Sequence, residues 1–144
     1  MTMTRNAEVG DAERLAELAG QLGYTTTREE VGRRIARYAG LGDERVIVAV
    51  HGGRVVGWTS AAVVDHFYLP RYVEISGLVV DASMRGRGIG ALLVAEVERW
   101  AAGKKVGIVR LRANVVRTDA HRFYERHGFS RTKTQFSFEK PVGL

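Results

Sequence analysis

The chain has 144 residues, 45% of them apolar and 26% charged, and carries a formal net charge of +6. That balance excludes a disordered chain, and the length fits one α/β-sized domain over residues 1–144 with a continuous core. The absence of cysteine excludes disulfide scaffolds, thiolate metal sites and cysteine nucleophiles.

In chain order, a short strand is expected over Met3 to Ala7. Asp11 can cap a helix whose apolar stripe is Leu15, Leu18 and Leu22, stopped by Gly23. Thr27 and Glu30 have the spacing of a capping box and open a second helix carrying Val31, Ile35 and Tyr38. Two β-rich runs, Arg45 to Val50 and Arg54 to Val64, flank Gly52-Gly53 and read as a hairpin. Another strand covers Tyr72 to Val80. A third helix follows from about Ile89 to Ala102, with Ile89, Leu92, Leu93, Val97 and Trp100 inward and Gly103 after its end. A strand over Val106 to Asn114, a helix near Thr118 to His127 stopped by Gly128, and a last strand with Phe136 and Phe138 in alternation complete the chain. The order β-α-α-β-β-β-α-β-α-β is an α/β layer architecture with a mostly antiparallel front half.

No apolar run approaches the roughly 20 residues of a membrane helix. Met1 to Gly10 lacks the apolar core of a secretory signal. The expectation is a cytoplasmic protein without a membrane partner. His51, His66, His121 and His127 show no paired ligand spacing, so no metal is expected. A sequence pI near 10.1 favours an anionic partner. That partner could be nucleic acid or a phosphorylated cofactor; the arginines are scattered without interleaved aromatics, so no nucleic-acid face is marked and charge alone decides little.

Arg85-Gly86-Arg87-Gly88-Ile89-Gly90 lies between a strand and an amphipathic helix. The first helical turn has unpaired N–H groups and a partial positive charge, and glycines let a phosphate approach them. A P-loop would need Lys followed by Ser or Thr, and Ala91-Leu92 stands there instead. Gly86-x-Gly88-x-x-Ala91 matches the looser Rossmann pattern. The next strand, however, offers Arg110, Arg112 and Asn114 and no acid for a ribose. An isolated Gly-x-Gly would read as a structural turn; the flanking Arg85 and Arg87 turn it towards an anion cradle.

The Arg85 to Gly90 run, preceded by Ile75-Ser76-Gly77-Leu78-Val79-Val80-Asp81 and followed by Ala120-His121-Arg122-Phe123-Tyr124-Glu125-Arg126-His127-Gly128-Phe129, resembles the two signatures of the GNAT superfamily of acetyl-CoA-dependent N-acetyltransferases, in order and spacing. The resemblance covers nearly the whole chain. It implies a mixed, mostly antiparallel central sheet flanked by helices, with splayed central strands. It also implies acetyl-CoA as cosubstrate, a small-molecule or peptide amine as acceptor and, as in many relatives, a homodimer. By resemblance, Arg85, Gly86, Arg87, Gly88, Ile89, Gly90 and Ala91 hold the pyrophosphate. Leu78, Val79 and Val80 pair with the pantetheine arm, and an amide near Val79 faces the thioester carbonyl. Gly77 suits a bulge that begins the splay. Where the family often has Asn before its second signature, this chain has Arg117; Asn114 is the residue expected to contact the cofactor.

Without cysteine, no acyl-cysteine intermediate can form, so direct attack in a ternary complex is expected. Tyr124 matches the family tyrosine and is the expected proton donor to the thiolate, against a reading as a core aromatic beside Phe123. Glu74 is the expected base, against a reading as a strand carboxylate paired with arginine. Strand alternation places Glu74, Ser76, Leu78 and Val80 on one face up to any bulge. Asp65 and Glu139 are weaker candidates. The acceptor is expected near Tyr24 and the run Asp65 to Tyr72, where acidic and aromatic groups suit a cationic amine. The Leu22-Gly23-Tyr24 region is similar to that of GNATs related to aminoglycoside acetyltransferases. Two other classes compete: a GNAT-fold protein that binds acyl-CoA as a sensor without turnover, and a basic nucleic-acid-binding module.

Overall fold

The β-rich runs pair in sequence order in a computed structural model that describes residues 1–144. Strands β1 (Thr2–Asn6), β2 (Glu44–His51), β3 (Arg54–His66), β4 (Leu69–Val80) and β5 (Val109–Leu111) form one sheet in the order β1-β2-β3-β4-β5. The first four are antiparallel and β5 joins β4 in parallel. Helices α1 (Ala12–Gln21), α2 (Arg28–Ala39), α3 (Ile89–Gly103) and α4 (Thr118–Arg126) complete the elements, with short 3-10 turns before α1 and α3. The chain falls into two compact units, Met1–Arg112 and Ala113–Leu144, which are described separately.

In the first unit, Leu15 and Leu18 of α1 and Ile35 of α2 bury against Val48, Val55 and Val79, with Trp58 packed on the cluster. Ile89 and Leu93 of α3 lie against Gly57 on the other face. The sheet is thus covered on both faces, as a layered α/β fold requires. Thr27 caps α2 by accepting from the Glu30 N–H at 3.1 Å. Asp11 makes no side-chain cap to α1; its carboxylate instead accepts from Arg5 at 2.8 and 2.9 Å and from the Glu8 N–H.

Three expectations are corrected. On α3 the buried stripe is Ile89, Leu93, Val94, Val97 and Ala101, while Leu92 is exposed. Repeats of four from Ile89 set the centre of the stripe, and Leu92 falls at its margin. Second, Val106 does not start a strand. Lys105 takes a left-handed φ of 60° and the Val106 N–H returns to the Ala101 carbonyl. That closes α3 in a Schellman-type cap whose apolar partner is the buried Val106, and β5 shrinks to three residues. Third, no ladder forms over residues 130–144, where Phe136 and Phe138 are 87% and 92% exposed. Alternation supplies a face, but a strand also needs a neighbouring backbone, and the second unit contains helix α4 and no other strand.

Candidate functional site

The site begins with an irregularity in β4. Gly77 stands opposite Ser60 and Ile75 opposite Ala61, so Ser76 is an extra residue and β4 bulges there. Thr59, fully buried, donates its hydroxyl to the Gly77 carbonyl at 2.8 Å, and the Ser60 and Ser76 hydroxyls meet at 2.6 Å. A Cβ at Gly77 would lie 2.7 Å from the Trp58 indole. Only glycine lets that ring cover the bulge.

The bulge reverses the expected alternation. Glu74 pairs with Ala62 and Leu78 with Thr59, three residues apart on β3, so Glu74 lies on the opposite face from Leu78 and Val80. The expected splay is visible in the register. Pairing to β5 stops at Ile75–Leu111, while β4 continues to Val80 with β3 alone. The Asp81 N–H donates to the Val56 carbonyl at 2.8 Å. By ladder parity the Val79 N–H then points to β3, and the amides of Leu78 and Val80 point to the open side. The Val80 carbonyl on that side accepts from Arg85 Nε at 3.3 Å.

Beyond the strand, Gly86 and Gly88 both take φ of +78°, a left-handed conformation that other residues adopt at a cost. Gly88 precedes α3 and its carbonyl accepts the first helical bond, from the Leu92 N–H. The N–H groups of Ile89, Gly90 and Ala91 have no helical acceptor. Arg85 and Arg87 are exposed beside them.

A polar clamp holds this loop, and the sequence reading missed it. Asp81 Oδ1 accepts from the Ser83 N–H and hydroxyl, both at 3.0 Å, and Oδ2 pairs with Arg14 of α1. Arg14 Nε also donates to the Val55 carbonyl at 2.8 Å, and Gln21 of α1 accepts from the Ala82 N–H at 2.9 Å. The Ser83 N–H and then the Arg14 guanidinium hold the Asp81 carboxyl well below the usual carboxylate range. Asp-x-Ser after a strand is the available local signal, since such an Asp can bond the backbone two residues on; its distant partner carries none.

Glu74 lies 3.5 Å from Arg112 Nε. Beside it, Arg110 sits 4.3 Å from the ring centroid of the buried Tyr72, whose hydroxyl is 3.3 Å from His66 Nε2. Of the residues expected near an acceptor, Tyr24, Phe67 and Tyr68 are exposed.

In the second unit, Tyr124 on α4 packs edge-on to Phe123 and Phe129, at centroid distances of 5.5 and 5.9 Å. Burial pushes its phenol pKa upward, and the charge of Arg117 opposes this. Asn114 is occupied in a turn: its Oδ1 accepts from the Val116 N–H, and its carbonyl accepts from the Arg117 N–H and His121 Nε2.

A cavity of about 670 Å³ lies near the C-terminal end of α3, lined among others by Tyr38, Arg45, Glu96 and Trp100. None of the site residues above lines it.

An open strand edge that leads into a left-handed glycine turn and an unpaired helix start suits a long ligand with amides at one end and phosphates at the other. The description "Acetyltransferase (GNAT) family" matches residues 12–129. The chain belongs to the GNAT acetyltransferase family. It is 36% identical over 91 residues to an aminoalkylphosphonate N-acetyltransferase of Salmonella typhimurium, a match covering 62% of this chain and 59% of that protein. The match thus spans somewhat over half the length of that relative. Among solved structures, glucosamine-6-phosphate N-acetyltransferase from Arabidopsis thaliana shows a TM-score of 0.83 at 26% identity, covering 96% of this chain and 98% of the other. An aminoglycoside N-acetyltransferase in complex with CoA shares the fold, with a TM-score of 0.86 at 19% identity over 99% and 96% of the two chains.

Proposed function

We propose that this protein transfers the acetyl group of acetyl-CoA to a primary amine of a small molecule. The observation that carries the proposal is the open edge at Leu78 and Val80 running into the Gly86–Gly88 turn. Its amides fit the pantetheine arm, with Val79 anchoring the strand in the core. The free N–H groups of Ile89, Gly90 and Ala91, with Arg85 and Arg87, fit the pyrophosphate. Asn114 is proposed as a further cofactor contact through its amide nitrogen.

Acetyl-CoA supplies an activated acyl carbon and a thiolate leaving group. The neutral amine attacks the thioester carbonyl, forming the C–N bond. The Leu78 N–H, on the open edge, is the proposed donor to the oxyanion. As the C–S bond breaks, the electron pair leaves on sulfur and Tyr124 donates the proton that makes the thiol. Glu74, or a water it binds, accepts the proton lost by the amine. The Tyr124 phenol carries the proton that the role requires, and its place in the second motif is what supports the assignment.

Thermal denaturation with and without acetyl-CoA tests binding first: a ligand selective for the folded state raises Tm. Release of free CoA with a panel of amines then tests turnover. Tyr124→Phe should lower kcat by about a hundredfold while the acetyl-CoA Kd stays within about twofold. No Tm response overturns the cofactor assignment; binding without turnover favours a sensor over an enzyme.

A further inference from the structure

We infer that the amine acceptor also carries an anionic group, a phosphonate, phosphate or carboxylate, held by Arg112 and Arg110 while Glu74 takes the ammonium end. This inference rests on the acetyltransferase reading above and narrows its substrate class.

The parallel register pairs Glu74 with Arg110, and partners in a parallel ladder stand on the same face of the sheet. Two residues on, Arg112 returns to that face, which its 3.5 Å approach to Glu74 bears out. The antiparallel register places Ser60 and Gly77 there too, since Ala62 pairs with Glu74 and Ser60 with Gly77. The face therefore runs from two guanidiniums, across one carboxylate, to the bulge that precedes the open Leu78 amide. A molecule whose amine lies between Glu74 and that amide can reach the two arginines with its other end.

The charges at the β4–β5 edge of this face do not balance. Arg112 is 81% exposed and spends only its Nε on Glu74, at a separation long for a hydrogen bond. Arg110 has no carboxylate partner and is held over the Tyr72 ring, which fixes its stem and leaves its N–H donors available. Tyr72 is itself positioned by burial and by His66. At the β4–β5 edge two guanidiniums stand against one carboxylate, Glu44 lying two strands away on the same face, so this edge repels a polycation and attracts an anion. The planar fork of Arg112 suits the paired oxygens of a carboxylate, phosphate or phosphonate. An amine with such a group satisfies both signs of charge at once. A polycationic aminoglycoside satisfies only Glu74.

The test uses the full chain and acceptors matched in length: an aminoalkylphosphonate, the corresponding amino carboxylate, the unsubstituted alkylamine, and a polycationic aminosugar. CoA release gives kcat/KM for each. At least one anionic amine should exceed the alkylamine by about tenfold or more, mainly through KM. Which one leads distinguishes phosphonate from carboxylate. Arg112→Gln should bring the ratio towards one, and Arg112→Lys should retain part of it, because charge remains without the fork. Equal or better use of the alkylamine or the aminosugar, or an unaltered ratio in Arg112→Gln, overturns this inference and leaves the acetyltransferase reading standing. Failure to acetylate any amine despite a Tm response to acetyl-CoA overturns that reading, and this inference with it.

Discussion

The two halves of β4 do different work although they belong to one strand. From Leu69 to Ile75 the strand is paired to β3, its last three residues also to β5, and it presents Tyr72 and Glu74 on one face. From Gly77 to Val80 it is paired to β3 alone, and the amides of Leu78 and Val80 have no strand beside them. Between the halves, one extra residue at Ser76 turns the side chains over. A fully paired strand is rigid and closed; a half-paired strand is equally held in place yet still has hydrogen bonds to offer. The fold obtains an edge with unpaired amides without an unsupported loop, because the bulge, Trp58 and the Asp81–Arg14 clamp hold the open half on its other sides.

That contrast can be broken at three points, taken here in order of expected effect on stability. The largest lies where the open half ends. Asp81→Asn removes one of two carboxylates paired with the partly buried Arg14, Glu17 being the other, and weakens the Ser83 contacts, and should cost about 3 kcal/mol at neutral pH. Because the folded-state pKa of Asp81 is depressed, its contribution is fully present above the unfolded carboxylate pKa, roughly 4, and is lost as pH falls below it. Denaturant unfolding at pH 7 and pH 3 should therefore show a smaller difference between mutant and native protein in acid. An equal difference at both pH values would remove the ionised carboxylate from the explanation.

The junction itself comes next. Gly77→Ala puts a methyl group into the Trp58 ring and should cost about 2 kcal/mol. The contacted atoms belong to the outer indole ring, which phenylalanine lacks. In a Trp58→Phe background the same change should therefore cost less, and a double-mutant cycle reads the coupling. Strict additivity would mean that Gly77 serves the bulge by its backbone alone.

The paired half should be least sensitive in stability. Glu74→Gln loses a long, partly exposed ion pair and should alter unfolding free energy by no more than about 0.5 kcal/mol. If Glu74 is the base, the same variant lowers kcat by about a hundredfold and abolishes the acidic limb of the pH–rate profile. Full rate with the limb intact would reduce Glu74 to a partner of Arg112.

Much of this was legible in the residues. The glycine turn, the helix it opens, the hairpin at Gly52-Gly53 and the capping by Thr27 depend on local backbone preferences that a few adjacent residues set. The position of the bulge was foreshadowed by Gly77, but its effect on side-chain direction was not, since alternation is counted along a chain whose extra residue appears only against its partner strand. The fate of Val106 was hidden for a similar reason. Its β-branched side chain suits a strand, and a left-handed Lys105 drew it into the cap of α3. Arg14 and Asp81 are 67 residues apart, and nothing local joins them.

The sequence by itself determined the order of elements as far as α4, the glycine turn and helix start from Arg85 to Ala91, and family membership through two motifs in register. Tertiary structure decided which amides of β4 are open, which face Glu74 occupies, and that Arg110 and Arg112 stand beside it. The division is physical: local motifs encode backbone conformations, while the direction of a side chain in a sheet is fixed by pairing across strands.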